Sequence, residues 1–259
     1  MGDYAFDADT SVNASASGAL PGSFAAELTG RWDGTNGAVN GGYLLAVCLR
    51  ALGSRMPFPD PIVVSGFFLR PGTPGPAVVR ATVARSGRTT AFGEAVLSQD
   101  GKDVVRAMAA FAALSGSVPA FVDGAPPHLP APAECVGVPV GSFGPATIAE
   151  RVEFRAASLP GWFRGSPTGR PASEFWMRFA DGRDADLYAR LGLCEAGHGD
   201  RDVARAGIDL QPEAMAVVDH VTGRGGDGGT AVTGIGQADA SQVAEGVRNR
   251  DRHLTHDDA

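Results

Sequence analysis

Residues 35–55, TNGAVNGGYLLAVCLRALGSR, decide the fold. Asn40 is a residue type favoured at the N-cap, and apolar side chains follow it on nearly every face, so the stretch predicts a helix from about Asn40 to Arg55. Gly41 and Gly42 loosen the first turn, because glycine loses more conformational freedom in a helix than other residues do. A helix that is apolar all round must be buried on most sides. Other parts of the chain must therefore surround it.

The strands predicted before and after this helix in the chain are the elements that can bury it. SFAAELTGRW at residues 23–32 predicts a first strand, and four β-rich runs follow the helix within residues 61–114. In one of them Val79 and Ala81 alternate with Arg80 and Thr82, the two-residue period of a strand with one wet face. Asp100-Gly101 favours a tight hairpin between the last two runs.

This order of elements predicts an α+β protein with the hotdog fold, in which a long curved antiparallel sheet wraps around one central helix. An ordinary α+β domain with a core helix shares most of these features and stays open as an alternative.

Composition divides the chain into four parts. Residues 1–20 are polar and predict a mobile leader, residues 21–115 an N-terminal hotdog, residues 116–145 a Pro/Ala-rich linker, and residues 146–259 a C-terminal hotdog. RWDG before the first helix corresponds to RFADG at residues 178–182, which predicts an internal duplication and a tandem hotdog.

The C-terminal part departs from the strand pattern of the first repeat. No aromatic residue follows Tyr188, and glycine-rich segments such as GRGGDGG interrupt the expected strands. After about residue 190 the second repeat is therefore predicted to be degenerate or partly disordered. A reading-frame shift in a GC-rich gene is one hypothesis for this, and translating the other two frames of the coding DNA tests it.

Composition also limits the classes of partner and compartment. The chain has 259 residues, 44% of them hydrophobic, and a net charge of −7, so it predicts a globular protein without a basic surface for nucleic acid or anionic lipid. No apolar run is long enough for a membrane span, and the N-terminus lacks a secretory signal pattern. Three widely separated cysteines favour reduced thiols in a cytoplasmic protein.

Several motifs identify a family when they are taken together. They are Asn40-Gly41-Gly42-Tyr43 at the helix start, the strand end FFLRP at residues 67–71, Gly75-Pro76, the turn at residues 85–88, and Gln99-Asp100-Gly101. With them, residues 20–115 resemble the N-terminal hotdog of the acyl-CoA thioesterase II-like, double-hotdog thioesterases. EFWMRF and the residues after it extend a weaker match to about Leu193.

The resemblance implies an Asp on the second helix, a Thr on a later strand and a Gln on the last strand, which together orient the attacking water. Glu195 lies near the Asp position and keeps a carboxylate, whereas Val217 stands where the hydroxyl is expected. Gln242 lies about two residues before the expected glutamine, and such an offset keeps the same strand face. Glu195 as general base and Gln242 as water-positioning amide are the candidate catalytic residues, and a solvated surface carboxylate is the alternative for Glu195.

Asn40, Gly41, Gly42 and Tyr43 are the candidate substrate-binding residues. Unpaired N–H groups and the positive dipole at a helix start favour a developing oxyanion, and glycines let a thioester carbonyl approach closely. Close helix–sheet packing is the alternative role for the two glycines. Cys48 lies mid-helix among leucines and is predicted to be a buried core thiol, not a nucleophile.

The first functional hypothesis is an acyl-CoA thioesterase that works without a metal or redox cofactor. The second is a non-catalytic acyl-thioester-binding or structural hotdog protein, which Val217 favours. A hotdog hydratase is a third option, although the first helix carries no Asp-and-His pair for the proton transfers. Homo-oligomers through the hotdog sheets are a further expectation.

Overall fold

The structure, a computed structural model, describes residues 4–15, 21–34, 37–114, 129–143, 145–159 and 175–190. Its helices and strands, in chain order, are α1 (Ala5–Asp9), β1 (Asn13–Ala14), β2 (Ser23–Leu28), α2 (Gly41–Gly53), β3 (Asp60–Phe68), β4 (Gly75–Ser86), β5 (Thr90–Gln99), β6 (Lys102–Ala112), β7 (Val136–Gly137), β8 (Val152–Ala156) and β9 (Trp176–Phe179). Short 3₁₀ helices span Gly30–Trp32, Pro132–Glu134, Val140–Phe143 and Thr147–Glu150.

Six strands form one antiparallel sheet in the order β1-β2-β4-β5-β6-β3. The alternation seen in the sequence sets its two faces: Val79 and Ala81 are buried, while Arg80 and Thr82 between them are exposed. The predicted hairpin between β5 and β6 turns at Asp100 and Gly101, which have φ values of 49° and 72°. Both residues therefore adopt the left-handed backbone conformation that the tight turn of a two-residue hairpin requires.

Helix α2 lies against the inner face of this sheet. Asn40 caps it, and every residue from Gly42 to Leu49 is buried, together with Ala51 and Leu52. Contacts with β3, β4, β5 and β6 surround the helix. The sheet thus covers the apolar side chains that the sequence places on nearly every face of the helix, and the hotdog fold is confirmed.

The sheet approaches the helix closely near the middle of β5. Gly93 lies there with no side chain, and Leu52 and Met56 from the end of the helix region fill the space that a Cβ would take. Strand β4 carries a register shift between Val83 and Arg85, directly beside this point. Such irregularities bend a strand and increase its twist, which helps the sheet to curve around α2.

A second, three-stranded sheet has the order β7-β8-β9. Phe154 and Ala156 of β8 and Met177 and Phe179 of β9 are buried and belong to the same core as α2. Strand β7 lies inside the segment that composition predicts as a linker, so part of residues 116–145 is paired in a sheet. This three-stranded sheet lies where the second repeat is predicted to begin, so it is consistent with the tandem arrangement.

The N-terminal segment differs from the mobile leader predicted for residues 1–20. Residues 5–9 form α1, and Phe6 is 1% exposed between the rings of Trp32 and Phe179, with centroid distances of 5.5 and 5.0 Å. Trp32 and Phe179 occupy matching positions in the predicted duplication and also touch each other edge-on. Phe6 therefore attaches the segment by packing between Trp32, which follows β2, and Phe179 of β9.

Charged groups reinforce this attachment. Asp7 accepts hydrogen bonds from Arg50 of α2 at 2.7 Å and from Nε and Nη2 of Arg183 at 2.8 and 2.7 Å. The Arg183 side chain is only 7% exposed and also bonds to Asp186. These guanidinium donors hold the pKa of Asp7 below its ordinary value, the Arg183 hydrogen bonds being the largest cause. Asp7 therefore connects α1 both to α2, through Arg50, and to the predicted second repeat, through Arg183.

Candidate functional site

The start of α2 is a capped helix terminus at which Gly41 is partly exposed and Gly42 is buried. The Asn40 side chain accepts a hydrogen bond from the Tyr43 N–H at 3.2 Å, which satisfies one of the unpaired N–H groups there. Among the described residues, the N–H groups of Gly41 and Gly42 have no hydrogen-bond partner. With the positive end of the helix dipole, these two groups can stabilise an anionic oxygen.

Tyr43 and Trp32 fix the base of this site. Tyr43 is 1% exposed, its ring stacks on Trp32 at 5.8 Å, and its hydroxyl donates to the Asp9 carbonyl at 2.8 Å. The Trp32 carbonyl accepts from the Asn40 N–H at 2.8 Å, and the Trp32 indole N–H donates to Asp9 Oδ2 at 2.8 Å. Tyr43 therefore has partners for both its hydroxyl and its N–H.

Asp33 lies just before the loop that leads into α2. Its N–H donates to Thr147 Oγ1 and its carbonyl accepts from the Ile148 N–H, so it links this loop to the segment before β8. Among the described residues, its buried Oδ1 atom has no hydrogen-bond partner. Burial raises the pKa of Asp33.

The candidate residues from the sequence divide into two groups. Asn40, Gly41, Gly42 and Tyr43 stand together at the start of α2. Glu195 and Gln242, and also Val217, lie outside the described residues, so their roles stay predictions.

Sequence reasoning missed the part that Asp9 and Trp32 play at this site. The sequence marks Trp32 as the end of the predicted first strand and as part of RWDG in the internal duplication, not as a site residue. No local pattern marks Asp9, because its partners are 23 and 34 residues away.

Cys48 is fully buried in the middle of α2, as predicted. Burial raises the pKa of its thiol from 9.0 to about 12, which leaves about a thousandfold less thiolate at pH 8. We expect iodoacetamide to modify Cys48 in the folded protein at least about 100-fold more slowly than in urea, because the thiolate is the reactive form. Peptide mass spectrometry of the Cys48 peptide measures both rates, and equal rates would contradict a buried thiol.

The described part of the chain carries neither a cluster of metal ligands nor a membrane-spanning helix. No group of His, Cys, Asp and Glu side chains there is arranged to hold a metal ion. No helix there is long and apolar enough to cross a membrane.

Known proteins with similar sequences and structures share the hotdog fold around α2. Residues 28–112 match the acyl-CoA thioesterase N-terminal domain family. A proposed thioesterase II from Thermobifida fusca YX has 25% sequence identity and a TM-score of 0.63, over 74% of this chain and 71% of that one. A conserved hotdog protein of unknown function from Alicyclobacillus acidocaldarius has 23% identity and a TM-score of 0.61, over 76% and 70%. No curated protein matches the chain.

The family match begins at the last residue of β2 and ends with β6, so it includes α2 and the strands β3 to β6 that contact it. The resemblance to the acyl-CoA thioesterase II-like family, best for the N-terminal hotdog, is thereby confirmed.

Proposed function

We propose, from the thioesterase family that residues 28–112 match, that this chain is an acyl-CoA thioesterase. The reaction would be attack of a water oxygen on the thioester carbonyl carbon, cleavage of the C–S bond, and release of a carboxylic acid and coenzyme A. The observation that carries the proposal is the start of α2, where two N–H groups lie free on a capped helix inside a matching hotdog.

Each step of this reaction has a candidate group in the chain. Negative charge grows on the carbonyl oxygen as water attacks, and the N–H groups of Gly41 and Gly42 would stabilise it. Glu195 would accept a proton from the water and Gln242 would orient that water, as the family resemblance suggests. The departing sulfur would take up the proton that Glu195 accepted from the water, which yields the free thiol of coenzyme A and regenerates the carboxylate.

A non-catalytic acyl-thioester-binding protein is the second candidate. Val217 favours it, because this residue stands where the family resemblance implies a threonine hydroxyl. Such a protein would still use the helix start to hold the thioester carbonyl.

Turnover of a panel of acyl-CoA esters by the purified full-length chain separates the two candidates. A thioesterase is expected to release free thiol with saturation kinetics on at least one ester, followed as coenzyme A by chromatography so that the protein thiols do not contribute. If no ester is hydrolysed while saturable binding persists, the enzyme proposal fails and the binding protein is favoured.

Gly42→Val tests the helix start directly. The valine side chain would keep the carbonyl from the backbone donors, and we expect kcat/KM to fall about 100-fold, the usual loss when one oxyanion donor is removed. Gly41→Val, at a less buried position, gives the same test if Gly42→Val does not fold. Gly137→Val serves as control, because nothing lies within 4 Å of its Cβ position. Unchanged kinetics in both helix variants would remove the helix start from the mechanism.

A further inference from the structure

A closed circuit of hydrogen bonds connects the N-terminal segment to the first turn of α2. The Asp9 carboxylate accepts from the Trp32 indole, the Trp32 carbonyl from the Asn40 N–H, the Asn40 side chain from the Tyr43 N–H, and the Asp9 carbonyl from the Tyr43 hydroxyl. Each residue in the circuit contacts two others. The start of α2 therefore cannot shift relative to Asp9 without breaking a hydrogen bond.

We infer that Asp9 is a positioning residue that aims the Gly41 and Gly42 N–H groups, a role that rests on the proposed function of the helix start. Asp9 acts through Trp32 and Asn40 and does not touch the substrate. Donors that stabilise a developing oxyanion must be held in place before the reaction. They lower the activation free energy because their dipoles do not have to reorient as the charge develops. The circuit supplies this rigidity at a helix terminus whose first turn contains two glycines.

The two oxygens of the Asp9 carboxylate have different neighbours. Oδ1 accepts from Arg31, whose side chain is 49% exposed, whereas Oδ2 accepts from the buried Trp32 indole. The Asp9 side chain itself is 6% exposed. A charge-assisted bond to a buried donor holds its geometry better than one to a solvated side chain. Oδ2 is therefore the atom that positions the helix start, and Arg31 mainly neutralises the charge.

Hydrogen exchange and kinetics together test this role. In Asp9→Ala we expect the amide protons of Asn40 and Tyr43 to exchange at least about tenfold faster, because the bonds that hold them loosen. We expect kcat to fall about 10- to 100-fold with little change in KM, since misaimed donors weaken the transition state more than the ground state. Asp9→Asn keeps an oxygen for the Trp32 indole and is expected to restore most of both properties.

Two further variants complete the experiment. Arg31→Gln removes only the exposed partner of Asp9 and is expected to leave exchange and kinetics close to those of the unaltered protein. Trp32→Phe removes the indole donor to Asp9 Oδ2 and is expected to give the same two effects, so it replaces Asp9→Ala if that variant does not fold.

The outcomes distinguish this inference from the proposed function. If Asp9→Ala lowers only the melting temperature, while amide exchange at Asn40 and Tyr43 and the kinetic constants stay unchanged at a temperature well below unfolding, Asp9 is structural and the inference is overturned. If the unaltered protein hydrolyses no thioester but exchange accelerates in Asp9→Ala and is restored in Asp9→Asn, the positioning inference holds and the thioesterase proposal fails.

Discussion

Replacement of Gly93 by valine is expected to lower the free energy of unfolding by about 3 kcal/mol, the upper part of the range for overpacking a well-packed core. A Cβ at this position would lie 2.7 Å from Leu52 Cδ1, 2.8 Å from the Thr82 carbonyl oxygen and closer still to Met56 Cε. The side chains could rotate away, but the Thr82 oxygen belongs to the backbone of β4. The strand itself would therefore have to move, against its hydrogen bonds to β5.

Urea denaturation of the purified variant measures this loss. Gly137→Val, which adds the same side chain to a strand with open surroundings, is the matched control and is expected to differ little from the unaltered protein. A loss in Gly93→Val no larger than in this control would contradict the close approach of sheet and helix at β5.

Asp7→Ala is expected to lower the free energy of unfolding by about 2 to 3 kcal/mol at pH 7, because it leaves two neighbouring guanidinium groups without their shared carboxylate. The estimate lies at or below the range for a fully buried ion pair, since the Asp7 side chain is 24% exposed. Arg183, at 7% exposure, would keep only the Asp186 carboxylate as an ionic partner among the described residues.

The effect of Asp7 depends on pH. Its pKa is lower in the folded protein than the ordinary value of 3.8, so ionised Asp7 binds its partners best in the folded state. This stabilisation is fully present above the unfolded value and disappears as the pH falls through the folded one. The difference between Asp7→Ala and the unaltered protein should therefore shrink when denaturation is repeated below pH 3.8.

Glu94→Ala is the matched control for this experiment. Glu94 lies 4.0 Å from Arg106 on the exposed face of β5, with both side chains about half exposed. Its removal is expected to change stability by no more than about 0.5 kcal/mol. A loss in Asp7→Ala as small as this at pH 7 would contradict the ionic attachment of the N-terminal segment.

The N-terminal hotdog could be predicted because its signals are local. The alternation around Val79 and Ala81, the Asp100-Gly101 turn and the Asn40 cap each act over a few residues, and each has the structure that the sequence predicts. The helix start could be predicted as a candidate site for the same reason, since its cap, its glycines and its unpaired N–H groups are consecutive in the chain.

Contacts that are distant in sequence escaped prediction. Phe6 and Asp7 lie in a polar stretch whose composition favours a mobile leader, yet their partners come from α2 and from the second repeat. No period in residues 1–20 encodes contacts with Phe179 or Arg183. The roles of Glu195 and Gln242 stand on the family resemblance alone, because both residues lie beyond the described part of the chain.

The attachment of Asp7 to Arg183 also imposes an order on folding during synthesis. The two residues are 176 positions apart, so at ribosomal speeds about 10 to 35 s pass between their appearance. Strands β2 to β6 and α2 are complete well before Arg183 leaves the ribosome. The N-terminal segment can contact Trp32 and Arg50 as soon as the first sheet and α2 have formed. Its contacts with Phe179 and Arg183 can form only after this interval, so the attachment of the segment is expected to be completed late, although the segment is synthesised first.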